Sequence, residues 1–175
     1  TKIKRNGIPL VIKENGHINT HNTHNISHTM KEIALLGSNG PVFATVLSAL
    51  LKAGHDVCAY TTEPTKVMLD TTNVTIEELK TATKEETREE LEGYATVVAA
   101  YETNFQDVAN NDFILRTYSN TVNAAIEAGV KRLIVVGNPD SEAFFRGELR
   151  RHAGLIDANF ISTEGDYAAK VVDEI

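Results

Sequence analysis

Four consecutive residues, Gly37, Ser38, Asn39 and Gly40, are the part of this chain best suited to chemistry, and that chemistry is anion binding. Two glycines so close together permit a tight turn and a close backbone approach. Pro41 and Val42 then open a helical stretch, PVFATVLSALLKAGH. A proline is tolerated in a first turn because its missing N–H is not needed there. Ahead of the turn, Ile33–Leu36 are apolar and partly branched, which suits a buried parallel strand. Strand, glycine turn and helix N-terminus together make a phosphate site, because unpaired N–H groups and the helix dipole point at the anion. Nucleotide binding is the first expectation.

Other chemistries find less support. Cys58 is the only cysteine, which excludes an internal disulfide, a thiolate zinc site and a Cys-x-x-Cys pair. No Walker lysine or Ser-His-Asp arrangement is visible, and His152 has no carboxylate partner at a useful spacing. His17, His21, His24 and His28 recur at helical spacing and could hold a metal. Their Asn- and Thr-rich surroundings disfavour a helix, and no acidic or cysteine ligand accompanies them. No metal site is therefore assigned, and residues 1–29 read as a tag, leader or extension ahead of Met30. Within them, Ile8–Ile12 followed by Glu14-Asn15-Gly16 suggests a small hairpin.

The elements that must position the glycine turn alternate regularly from Met30 onward. Strands are expected at Ile33–Leu36, Asp56–Tyr60, Val74–Ile76, Thr96–Ala100 and Arg132–Val136. Helices are expected over Val42–Ala53, through EETREELEG, and over Phe113–Ala128, with Gly54, Gly93 and Gly129 as stops. The stretch DSEAFFRGELRRHAGLIDA reads as one amphipathic helix and a loop. This alternation implies right-handed crossovers and an α/β, doubly wound parallel sheet, a single Rossmann-like domain over residues 30–175. Ligands of such sheets lie beyond the carboxyl ends of the strands, here Gly37–Gly40, Thr61–Glu63, Ala100–Tyr101 and Gly137–Asn138.

The chain of 175 residues carries a net charge of −7 and is 42% apolar, enough for one domain with a sizeable core. The acidic balance argues against a nucleic-acid partner. No run reaches the length of a transmembrane helix, so no membrane role is expected, and a cytoplasmic monomer or homodimer fits best.

KEIALLGSNGPVFATVLSALLKAGHDVCAYTTEP resembles the opening of the atypical short-chain dehydrogenases with a Gly-x-x-Gly-x-x-Gly turn, a group that includes NmrA-type regulators and NADH-flavin reductase-like proteins. AAIEAGVKRLIVVG is similar to a later helix and strand of that group, and ANFISTEGDYAAKVVDEI to a segment with an Ile-Ser-x-Glu-Asp-Tyr-Ala motif. The resemblance implies a Rossmann-like domain for NAD or NADP, with Gly37–Gly40 at the pyrophosphate and the loops after Ala100 and Gly137 around the nicotinamide. It also places Pro41, Val42, Thr61, Thr62, Ala100, Tyr101, Gly137 and Asn138 along the cofactor, and makes a flavin a possible substrate. Three positions depart from it. Phe43 stands at the third glycine, where a ring would push the helix outward or fill space the cofactor normally approaches. Thr62 replaces a basic residue that would meet a 2′-phosphate, whereas Glu63 could accept ribose hydroxyls and favour NAD. Lys80 stands where the family often has an acidic residue, so an adenine contact is expected to be missing. Against the family, the region between residues 140 and 160 also looks short of a strand and of substrate loops, and a final strand after Ile175 is missing. A reduced or incomplete substrate region is expected.

Few residues offer acid–base chemistry. Tyr167 and Lys170 are spaced Tyr-x-x-Lys, whereas short-chain dehydrogenases use Tyr-x-x-x-Lys, so a helix start capped by Ser162 or Thr163, with Glu164 at the dipole, is expected there. Tyr101, just after a strand, is the one weak catalytic candidate. It either borders the nicotinamide or packs against the next helix. Arg116 and Tyr118 in that helix read as surface or dimer-packing residues. Arg146, Arg150 and Arg151 either hold an anionic substrate or form a solvated helix face. The implied activity is NAD(P)H-dependent reduction of a flavin, quinone or similar planar acceptor. A non-catalytic NAD(P) sensor of the NmrA type is the alternative, and a nucleotide-sugar epimerase is weaker.

Overall fold

A computed structural model describes residues 4–5, 8–9, 32–64, 73–80, 83–101 and 108–175. Near the start, β1 (Lys4–Arg5) pairs antiparallel with β2 (Ile8–Pro9). That places the pairing ahead of the hairpin expected from Ile8–Ile12; positions past residue 9, the four histidines and Met30 lie outside the described residues.

The remaining strands form one parallel sheet. They are β3 (Ile33–Gly37), β4 (Val57–Thr61), β5 (Val74–Glu78), β6 (Thr96–Ala99), β7 (Arg132–Gly137) and β8 (Asp157–Ser162), in the order β5-β4-β3-β6-β7-β8. Every residue of β3, β4 and β6 is buried, as expected of central strands covered by helices on both faces. α1 (Pro41–Lys52) and α5 (Tyr167–Asp173) cover one face. α2 (Lys84–Leu91), α3 (Val108–Glu127) and α4 (Glu142–Arg151) cover the other. α1 buries Phe43, Val46, Leu47 and Leu50, a spacing that keeps one stripe against the sheet. Each such side chain contributes about 1.5–3 kcal/mol by leaving water. Gly54 and Gly129, at φ 86° and 77°, terminate α1 and α3 where a side chain would be strained. Thr83 and Glu86 form a reciprocal capping box that starts α2.

Two expectations need correcting. The segment before Ile161 is a sixth parallel strand rather than a loop, with β8 in register along β7 from Arg132↔Asp157 to Gly137↔Ser162. Its polar residues Asp157 and Asn159 disguise it because β8 is an edge strand, half solvated; Phe160 and Ile161 are the positions it buries. The cap of α5 is Asp166, whose carboxylate accepts from Ala169 N–H at 3.2 Å, whereas Ser162 ends β8 and Thr163 N–H bonds the Gly137 carbonyl at 2.9 Å. Asp166 lies immediately before the first helical residue, where a side-chain oxygen reaches the orphan N–H groups, so Ser162 and Thr163 are too early.

Candidate functional site

The strand order reverses at β3. The chain passes from β3 to β4 on one side and later returns to β6 on the other, so a crevice opens at the carboxyl ends of β3 and β6. Gly37 closes β3 there. A Cβ at Gly37 would lie 2.4 Å from the Ala100 carbonyl oxygen and 2.8 Å from the Phe43 ring, so only glycine fits. Ala100 N–H bonds the Leu36 carbonyl at 2.7 Å, which carries the β3–β6 pairing one residue past β6. Phe43 is 1% exposed and packs inward among the core residues under α1, filling the space beside Gly37.

Ser38, Asn39 and Gly40 form the half-buried turn into α1, with Pro41 exposed at its first position and Val42 half-buried. Gly40 caps α1 in extended backbone without a side-chain hydrogen bond, and the first turn carries no carboxylate to compete with an anion. Thr61 ends β4 opposite Gly37 in register and is completely buried. Its Oγ1 has no hydrogen-bond partner among the described residues, and neither does the buried Oγ of Ser162 at the end of β8. Buried hydroxyls normally find partners, so each marks a strand carboxyl end where a polar group of a ligand would complete the hydrogen bonding. Thr62 and Glu63 are exposed just beyond Thr61. A small-residue turn, an uncompeted helix N-terminus and an orphaned hydroxyl at the switch point together fit an extended anionic nucleotide.

The structure separates the other expected residues by what they touch. Tyr101 is 5% exposed, its ring set edge-on to Tyr118 at 4.7 Å and its hydroxyl 3.4 Å from Thr121 Oγ1. Burial pushes its pKa far above the ordinary tyrosine value. Of the two readings of Tyr101, packing against the next helix is the one the geometry gives. Tyr118 is a correction, because it is 1% exposed and lies in the core rather than on the surface. Its stripe of Leu115, Val122 and Ala125 at helical spacing was the available signal. Arg116, by contrast, is exposed.

Gly137 leaves no room for a side chain, since a Cβ would meet Ser141 Oγ at 2.9 Å and the Phe160 ring at 3.0 Å. Asn138 accepts from Ser141 N–H at 3.0 Å and caps the short 3-10 turn Pro139–Ser141 that leads into α4. Tyr167 opens α5 against the α1 face of the core and Lys170 is exposed, so they form a helix start. Arg146 pairs with Glu142 at 2.6 Å and Arg151 pairs with Glu148, so two of the three arginines are engaged along their own helix. Lys80 is exposed, with its backbone N–H held by Glu90 at 3.0 Å.

Away from the crevice, a cavity of about 530 Å³ lies between the end of β5 and α2. Tyr60 and Tyr94 line it, their hydroxyls 3.0 Å apart, together with Glu77, Glu78, Glu86 and Glu89. Its carboxylates would repel a pyrophosphate. No group of three or more His, Cys, Asp or Glu among the described residues could hold a metal ion, and no described helix is long and apolar enough to cross a membrane.

Comparison with known proteins agrees with this fold. A candidate epimerase from Bacteroides thetaiotaomicron is similar at a TM-score of 0.67 and 19% identity, over 83% of this chain and 90% of that one. The Bordetella bronchiseptica enzyme WbmH, solved with NAD+, is similar at 0.62 and 17%, over 76% and 56%. An NADPH-dependent quinone oxidoreductase from Escherichia coli, solved with NADPH, is similar at 0.59 and 17%, over 74% and 48%. No curated protein matches the sequence. The family model for NAD(P)H-binding proteins matches residues 37–162, from the last residue of β3 to the last residue of β8. The chain thus belongs to the NAD(P)H-binding family, in keeping with its resemblance to the atypical short-chain dehydrogenases.

Proposed function

We propose that this protein is an NAD(P)H-dependent reductase of a planar acceptor such as a flavin or quinone. The observation that carries the proposal is the crevice at β3 and β6, floored by Gly37 and Ala100 and bounded by the start of α1. Gly37, Ser38, Asn39 and Gly40 hold the pyrophosphate with backbone N–H groups, and Pro41 and Val42 present the helix N-terminus. Thr61 and Thr62 meet the adenosine ribose, and Glu63 accepts its hydroxyls, which favours NAD(H). Ala100, Tyr101, Gly137 and Asn138 bound the nicotinamide half through backbone. When bound, the reduced nicotinamide supplies a hydride. Solvent delivers the proton that a flavin or quinone takes up with it, so the site needs no buried acid. That suits a crevice where the Tyr101 hydroxyl is turned away and Tyr167 and Lys170 form no pair. Steady oxidation of NADH or NADPH on adding FMN or a quinone is the expected result. Dinucleotide binding without oxidation across a panel of flavins and quinones would overturn it.

The lack of an acid–base pair among the described residues favours a second reading, a non-catalytic NAD(P) sensor of the NmrA type. Its dinucleotide would change affinity for a protein partner. Partner capture that is unchanged by saturating dinucleotide would count against it.

A further inference from the structure

We infer that Tyr118 is a positioning residue that fixes the gap between the ends of β6 and β7, and through it the seat of the nicotinamide half of the dinucleotide. The inference rests on the cofactor placement proposed above. Tyr118 stands on α3 and its hydroxyl reaches the carboxyl edge of the sheet from beneath. It accepts from Tyr101 N–H at 2.8 Å, and its single proton is shared between the carbonyls of Tyr101 at 2.7 Å and Val136 at 2.8 Å. Tyr101 follows β6 and Val136 is the penultimate residue of β7. One side chain therefore binds both strand ends just where their ladder stops, for the pairing runs only as far as Ala99↔Val135.

The ring is held as firmly as the hydroxyl. Tyr118 is the largest fully buried side chain among the described residues, edge-on to Tyr101 at 4.7 Å and to Phe145 at 4.2 Å. Phe145 in turn stacks on Phe160 at 5.5 Å, and both rings bear on the space beside Gly137. This aromatic row, running under β6, β7 and β8, leaves the hydroxyl little freedom to follow the strand ends if they part. A buried tyrosine needs only one partner to be satisfied, whereas this one serves three backbone groups. The β3–α1 turn that takes the pyrophosphate leads into α1 on the opposite face of the sheet from Tyr118, so the two halves of the dinucleotide depend on it unequally.

The test is Tyr118→Phe, which keeps the ring and removes the hydroxyl, titrated calorimetrically with NADH and with ADP. ADP carries the adenosine and pyrophosphate but no nicotinamide. The expected result is about a tenfold rise in Kd for NADH, the size of one lost buried hydrogen bond, with Kd for ADP within about twofold of wild type. Tyr94→Phe, which removes the bond to Tyr60 beside α2, should leave both unchanged. Unchanged NADH affinity, or equal loss of NADH and ADP, would assign Tyr118 to general stability and overturn the inference. Failure of wild type to bind either probe would instead defeat the cofactor placement itself, and this inference with it. Should the variant not fold, amide exchange at Tyr101 in wild type decides. NADH should slow it about tenfold beyond any effect of ADP, and equal slowing by both would contradict the positioning role.

Discussion

Gly37 and Tyr101 are where single atoms decide what the site can do. At Gly37 even a methyl group collides with the Ala100 carbonyl, a backbone atom that cannot swing aside. Gly37→Ala should destabilise the fold by about 1–3 kcal/mol in chemical denaturation, because overpacking forces β3 and β6 apart. A smaller change would mean that the strands part easily at the crevice. Tyr101→Phe should leave the rate of NAD(P)H oxidation and its pH profile within about twofold of wild type, since the hydroxyl faces Thr121 and not the crevice. Loss of an ionisation from that profile would restore Tyr101 as a proton donor. The glycine turn was legible in the sequence because its residue types state a local backbone need. The orientations of Tyr101 and Tyr118 were not, because they depend on which neighbours arrive from α3 and α4.

Between residue and molecule, the elements carry their own marks. Thr83, Glu86 and the acidic first turn announce α2, and Thr83→Ala should cost about 1 kcal/mol of stability by leaving helical N–H groups unpaired. Arg132, at the start of β7, bonds Asp157 of β8 at 2.6 Å and the Glu174 carboxylate just after α5. It fastens the last strand and last helix to the sheet, yet it is partly solvated. Arg132→Ala should therefore cost about 1 kcal/mol at low salt, measured by denaturation, and less at high salt. The four central strands were readable because they are apolar almost throughout, and the edge strand β5 because Val74 and Ile76 alternate with polar residues. β8 was not, because an edge strand carries polar residues and its pairing with β7 is a long-range fact.

The described residues form a six-stranded sheet covered by helices on both faces, with two buried hydroxyls left unpartnered at strand carboxyl ends. Tyr60, Tyr94 and Tyr101 are buried, and burial is the chief cause that raises the pKa of each. A tyrosine whose pKa rises on folding stays protonated while the unfolded chain ionises above pH about 10. The unfolded state then binds fewer protons, and stability falls as pH rises. Tyr101 alone should contribute about 1.4 kcal/mol of loss per pH unit above that point, and Tyr60 and Tyr94 act in the same direction. Base titration should show tyrosinate absorbance developing together with unfolding; ionisation of these residues ahead of unfolding would contradict their burial. Every functional step, however, depends on the crevice between β3 and β6 taking a dinucleotide. Calorimetric titration of the full chain with NAD(H) and NADP(H) tests that most directly. Saturable binding at one site per chain, weakened by Gly37→Ala and stronger for NAD(H) than NADP(H), is the predicted result. No binding of either dinucleotide would contradict the account.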